Sequence, residues 1–216
     1  MTARDASFSE VFGAALRGAP CRVVGLEAVA QALPVADWTR EIDRADAHLL
    51  DLCEGPTIDI GCGPGRLAAG LAAAGHIVLG IDVVQEAVDQ TRSRGAAALR
   101  RDVFDPLPGE GRWATALLAD GNVGIGGDPV ALLRRVREIL DPRGRVVVEL
   151  AAPGVEERVV WARLEGRDTV SRPFRWAVVG VDGIAHVAAG AGLAVRSRSA
   201  FLGRWCAVLE PLEAVR

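Results

Sequence analysis

The chain alternates between two hydrophobic rhythms. Short continuous apolar runs are followed by stretches with apolar residues every three or four positions, the alternation of buried strands and amphipathic helices. The first 53 residues read as mostly helical. The segment ADWTREIDRADAHLLDLC places Ile42, Ala45, Leu49, Leu50 and Leu52 on one side and charges on the other, with Asp37 or Thr39 as its cap. Strands are then predicted at Pro56–Ile60, His76–Ile81, Ala97–Arg101, Ala114–Ala119 and Arg145–Leu150. Helices are predicted at Gly65–Ala74, Val84–Arg94 and Pro129–Leu140, with DPRG as a turn before the last of these strands. Runs such as VVVEL suit strands buried on both faces. The repeated strand–helix order implies a parallel sheet with right-handed crossovers.

The remainder breaks this rhythm. Glu156–Leu164 and Thr169–Val179 flank the turn-like GRD and read as a β-hairpin. Asp182–Ala191 reads as a helix. Leu193–Ala200 and Trp205–Leu209 read as two closing strands joined through FLGR; strands so near in sequence must run antiparallel.

Chemistry concentrates where the first strand ends. In TIDIGCGPGR, Asp59 precedes Gly61, Cys62, Gly63, Pro64 and Gly65. Glycines here let a ligand come close to the main chain, and the helix that follows directs free N–H groups at it. Asp82 ends the second strand, where a carboxylate can accept from ribose hydroxyls. Asp102 ends the third, placed to accept from an adenine amine, with Val83, Val103 and Phe104 as a sandwich for the ring. Asp120–Gly121–Asn122 ends the fourth and borders the same crevice. An acid just before the glycines suits a ligand carrying an ammonium group and repels a pyrophosphate.

These motifs resemble the signature of class I S-adenosylmethionine-dependent methyltransferases. The likeness runs through DIGCGPGRLAAGLAAAGHIVLGID, RRDVFDPLP, ADGNVGIGGDP and LLRRVREILDPRGRVVVEL, from about Pro56 to Leu150. The resemblance implies a Rossmann-like α/β fold with a seven-stranded, mostly parallel sheet in the order 3-2-1-4-5-7-6, the seventh strand antiparallel. It implies S-adenosyl-L-methionine as cofactor: Asp59, Gly61, Cys62 and Gly63 around the methionine part, Asp82 on the ribose, Asp102, Val83 and Val103 at the adenine, and Asp120 and Asn122 on the sulfonium and substrate side. The Gly121–Asn122 pair is similar to members that methylate nitrogen in small molecules. Residues 1–54 then form a helical cap, 55–152 the cofactor half, 153–180 an inserted hairpin over the substrate pocket and 181–216 the closing elements of a single domain.

Several side chains keep two readings. Arg66 is either a partner for the cofactor carboxylate or an exposed first-turn residue. Glu149 is a base, an ammonium anchor or neither. Trp38 is a lid or packing residue. Trp161 and Trp176 either face each other across the hairpin or wall an apolar acceptor site. His48 and His76 read as surface residues, His186 as a core residue, and Cys62 as a small residue that fits rather than a nucleophile.

Composition narrows the partners. A net charge of −3 argues against nucleic acid or an anionic membrane. Cys21, Cys53, Cys62 and Cys206 are scattered without metal-ligand spacing, so no metal is expected and a reduced, cytoplasmic protein is. No apolar run is long enough to span a bilayer. The expected reaction is methyl transfer to a small-molecule acceptor, achieved mainly by alignment. Two alternatives stand beside it. A non-catalytic relative would keep the fold as a binding subunit. A nicotinamide-dependent oxidoreductase would need the GxGxxG spacing and a Tyr/Lys relay, and the chain has neither residue.

Overall fold

The computed structural model describes residues 3–212, so the outermost residues of the expected single domain lie outside the described residues. In chain order, β1 (Arg4–Ala6), α1 (Phe8–Leu16), β2 (Cys21–Val24), β3 (Gln31–Ala32), α2 (Val35–Thr39) and α3 (Arg44–Leu50) come first. Then follow β4 (Thr57–Ile60), α4 (Arg66–Ala73), β5 (Val78–Asp82), α5 (Gln85–Ser93), β6 (Ala97–Arg100), β7 (Trp113–Leu118), α6 (Pro129–Ile139) and β8 (Leu140–Leu150). The last group is β9 (Arg158–Gly166), β10 (Thr169–Ser171), β11 (Phe174–Val178), α7 (Ile184–Gly190), β12 (Leu193–Phe201) and β13 (Arg204–Pro211).

The large sheet has seven strands in the order β6-β5-β4-β7-β8-β13-β12, which is the expected 3-2-1-4-5-7-6. β13 runs antiparallel to both β8 and β12, and the other neighbouring pairs are parallel. Both faces are covered. Leu132, Leu133, Val136 and Ile139 of α6 pack with Val146, Val148, Ile184 and Val187 on one side. Leu49, Leu50, Leu67 and Leu71 pack with Leu117 and Val147 on the other. Burial on both faces is why these strands read as uninterrupted apolar runs. α6 begins where expected: Pro129 occupies the first turn, where its missing N–H costs nothing, and the Asp128 side chain accepts from Ala131 N. DPRG is not a turn between α6 and a strand. It lies inside β8, where the β7–β8 register shifts between Trp113 and Thr115.

The second sheet joins distant segments in the order β1-β10-β9-β2-β3, with β11 also on β9. The expected hairpin is present, but its return strand is split into β10 and β11 at Arg172 and Pro173, where proline has no N–H for the ladder. Pairing places Arg175 opposite Trp161 and Val160 opposite Trp176. The two tryptophans therefore do not face each other: Trp161 is 67% exposed on the outer side, whereas Trp176 lines the cleft described below.

The amino-terminal cap is correspondingly less helical than its periodicity suggests, because β1, β2 and β3 leave it to join this sheet. The long helix read across Ala36–Cys53 is two short ones, α2 and α3. Asp43, not Asp37 or Thr39, caps the second: its side chain accepts from Ala45 N and Asp46 N, while Asp46 accepts from Asp43 N. Thr39 instead donates its hydroxyl back to Val35 O. Among the described residues no helix is long and apolar enough to cross a membrane.

Candidate active site

The carboxyl ends of β4, β5, β6 and β7 open into a cavity of about 860 Å³. All ten residues singled out from the sequence, Asp59, Gly61, Cys62, Gly63, Asp82, Val83, Asp102, Val103, Asp120 and Asn122, line it. Parallel strands bring their carboxyl ends to one edge, so residues spread over 64 positions meet there.

The glycine loop is shaped by close packing. Gly65 adopts φ +85°, and a Cβ there would lie 2.6 Å from Thr91, so the turn into α4 requires glycine. Thr91 is fully buried and donates its hydroxyl to Gly63 O at 3.0 Å. Gly63, at φ +53°, meets nothing within 4 Å on its Cβ side; the loop presents bare backbone to open space. Asp82 fastens this loop to β5. Its two oxygens accept from Gly63 N at 3.1 Å and Val84 N at 2.8 Å. Burial pushes the Asp82 carboxyl up, and these backbone N–H groups oppose the shift. Each oxygen keeps further acceptor capacity. Asp102 is arranged similarly, accepting from Phe104 N at 3.0 Å while remaining exposed.

Asp59 is different. It is 2% exposed and its Oδ2 has no hydrogen-bond partner. Burial, with the negative charges of Asp120 and Asp82, pushes its pKa up to about 7. An unpartnered buried acceptor beside an open backbone cradle is ready for a donor from a ligand.

The strand-four loop does other work. Asn122 donates both amide hydrogens into the main chain, to Ile60 O and Gly61 O, each at 2.9 Å. It holds the loop in place, with its carbonyl left for a ligand. Asp120 sits at φ +50°, a left-handed conformation that Asp tolerates better than most residues. It is held there by Arg66, whose Nη2 lies 2.9 and 2.7 Å from its two oxygens.

That pair belongs to a network not visible in the sequence. Arg66 is 4% exposed and also pairs with Asp46, which is fully buried. Arg204 and Arg40 reach Asp46 as well. Arg204 further grips Glu149 through Nε and Nη2, both at 2.6 Å. Glu149 also accepts from Asp120 N at 2.7 Å. Three carboxylates and three guanidiniums thus tie α3, α4, β8, β13 and the β7 loop together. Burial works against the Arg204 charge, but the hydrogen bonds and attraction of Glu149 outweigh it. The exposed reading of Arg66 is corrected: it is 4% exposed and paired with two acids, while it still lines the cavity and its Nε has no partner. Glu149 is likewise an anchor for Arg204 rather than a base. Asp46 carried one signal, its place three residues after Asp43 in a capping pair; Arg204, the first residue of β13, carried none.

Cys62 is buried, and burial with the nearby Asp59 and Asp82 charges raises its thiol well above the ordinary value. It fits because β5 has Gly80 opposite, where a Cβ would lie 2.8 Å from its Sγ. None of the three histidines lines the cleft. His48 is not a free surface residue: its Nε2 lies 3.1 Å from Ser199 Oγ, and its ring stacks on Phe201.

Residues 57–144 match the family model described as a methyltransferase domain. The whole fold is similar to solved S-adenosylmethionine-dependent methyltransferases. One from Bacteroides fragilis, in complex with S-adenosyl-L-homocysteine, is 21% identical with a TM-score of 0.81, covering 94% of this chain and 95% of that one. The 1,6-didemethyltoxoflavin-N1-methyltransferase of Burkholderia thailandensis is 18% identical with a TM-score of 0.62, covering 89% and 96%. The CcbJ methyltransferase of Streptomyces caelestis is 17% identical with a TM-score of 0.58, covering 77% and 88%. No curated protein sequence matches the chain. At such identities the likeness establishes the fold, and the strand order of the large sheet agrees with it.

Proposed function

We propose that this protein uses S-adenosylmethionine to methylate a small-molecule acceptor in the cytoplasm. The observation that carries the reading is the partnerless Asp59 Oδ2 beside the open Gly63 cradle. That combination fits the α-ammonium end of the cofactor and fits a pyrophosphate poorly, because two anions would meet. Asp82 would hold the ribose hydroxyls with its remaining acceptor capacity. Asp102 would accept from the adenine amine, with Val83, Val103 and Phe104 around the ring.

When bound, the cofactor supplies a methyl group on a cationic sulfur, an activated donor. The chain's own contribution is alignment and exclusion of water. Asn122 and Asp82 fix the loop from two sides, and the Arg66–Asp120 pair fixes the neighbouring loop. Asp120 is paired with arginine, and no general base is assigned. The largely apolar cavity and the negative net charge support a small molecule over nucleic acid. All four cysteines are free, in keeping with a reducing compartment.

Titration calorimetry with S-adenosylhomocysteine tests the reading. Saturable binding, with NADH giving none, is the expected result. Binding of NADH in preference would replace the assignment with the oxidoreductase.

A further inference from the structure

Half of the chain's aromatic residues converge on one wall of the cleft. The sequence holds five Trp, five Phe and no Tyr, and Phe8, Phe12, Trp38, Phe174 and Trp176 all line the cavity. They form an unbroken run. Trp176 and Phe174 lie 6.4 Å apart at 83°, and Phe174 and Phe8 lie 5.0 Å apart at 77°. Phe8 and Phe12 stack at 5.3 Å and 16°, and Phe12 and Trp38 lie 5.7 Å apart at 39°. One end of the run is fixed at the loop after β7, where Ile125 bridges to Trp176. The other packs towards the start of α5, where Phe12 joins Val84 and Ala87. The wall therefore stretches alongside the glycine cradle, on elements that contribute nothing to the large sheet.

A wall of rings need not be a binding surface, since aromatic residues also fill cores. Two observations separate this one from a core. The cavity remains open against it. Its two indoles also lack partners. The Trp113 indole N–H, elsewhere, donates to Pro108 O at 2.9 Å, but among the described residues neither Trp38 nor Trp176 has an acceptor for its indole N–H. Both residues are half-buried and neither indole nitrogen is a buried unpartnered atom, so both N–H groups stay accessible to a ligand entering the cavity. Leu33, Ala162 and Leu164 add aliphatic surface beside the rings, Gln31 and Asp37 add polar groups at the edge, and the Arg175 guanidinium, also in the lining, donates to Gly127 O at 3.2 Å.

We infer that the methyl acceptor is a flat, uncharged aromatic molecule, held against the Phe8–Phe174–Trp176 face and oriented by an oxygen or nitrogen that accepts from an indole N–H. This rests on the methyl-transfer reading and adds the substrate class. Rings in offset or edge-on contact attract beyond their apolar burial, and a saturated ring of equal size cannot make those contacts.

The test loads the protein with S-adenosylhomocysteine and titrates three probes by calorimetry: 2-naphthol, decahydro-2-naphthol and cyclohexylammonium. Naphthol is expected to bind about tenfold tighter than its saturated counterpart, with the ammonium weakest. Phe174→Leu should abolish that preference. Trp176→Phe should weaken naphthol while keeping the preference, because the ring stays and the N–H goes. Unchanged S-adenosylhomocysteine affinity in both variants shows that they are folded. Equal binding of the two alcohols, tighter binding of the ammonium, or binding of none of the three overturns the aromatic site. Failure of S-adenosylhomocysteine itself to bind instead overturns the methyl-transfer reading, and naphthol titrated alone then still judges the aromatic wall.

Discussion

The two sheets meet at one cleft but contribute opposite kinds of surface to it. The large sheet brings backbone: bare loop at Gly63, carboxylates that hold N–H groups, and an asparagine that donates into the main chain. The small sheet and the helices beside it bring side chains, mostly aromatic and aliphatic. The large sheet is wound from neighbouring segments, whereas the small one pairs β1 with β10 and β2 with β9 across more than half of the chain. A constant ligand is best met by main chain, whose geometry does not change with residue type. A ligand that varies from one enzyme to the next is best met by side chains. The division between sheets thus matches the proposed division between cofactor and acceptor.

The most severe way to break this arrangement is Asp46→Ala. Asp46 is wholly buried and answers three arginines at the junction of α3, α4 and β13. Removing it leaves buried positive charge uncompensated, and a loss of about 3–5 kcal/mol is expected in urea unfolding. A loss under about 1 kcal/mol would show that the network is solvated and does not unite the elements.

Asp82→Ala comes next. It removes both loop anchors and the expected ribose acceptor, and hydrogen bonds to a charged group contribute about 1.5–3 kcal/mol each. S-adenosylhomocysteine affinity should fall about 100-fold while naphthol binding is retained. Parallel losses of both ligands would mean that the two walls are not separable.

Asp59 gives a pH signature. Its folded pKa of about 7 lies above the ordinary value of 3.8. Between those values the folded state keeps a proton that the unfolded chain has lost, so this group makes stability fall as pH rises. An ammonium donor favours the carboxylate, so S-adenosylhomocysteine affinity should rise with pH through about 7. Asp59→Asn should flatten both dependences. A wild-type affinity that falls over this range would place the ammonium elsewhere.

The smallest effect belongs to Trp161→Ser. Its side chain stands on the outer face of β9, away from the cleft. Thermal unfolding and naphthol affinity should both shift by no more than about 0.5 kcal/mol. A large shift in naphthol affinity would mean that the outer face also contacts the acceptor.

What could be read from the chain follows the same division. From Pro56 to Leu150 each strand pairs with a strand reached through a nearby helix, so local periodicity and the glycine loop were enough to place the cleft residues. The amino-terminal region misled because Asp43 starts a new helix within a continuous amphipathic pattern. Its strands are also very short, with Gln31–Ala32 only two residues long, below the length at which alternation shows. Trp161 and Trp176 were ambiguous until register put them on opposite faces, since a shift of one residue reverses every side chain.

While the order of the large sheet was only what the resemblance implied, the sequence by itself determined the strand–helix alternation, the bare loop and the acids at its edge. Those depend on glycine geometry and on apolar spacing within a few turns of chain. Only the tertiary structure decided that Arg66 and Glu149 would be consumed by Asp46 and Arg204, and that Phe8, Phe12 and Phe174 would stand beside Trp38 and Trp176. Charge pairing and ring contact act through space between residues as many as 166 positions apart, and no local pattern records such distances.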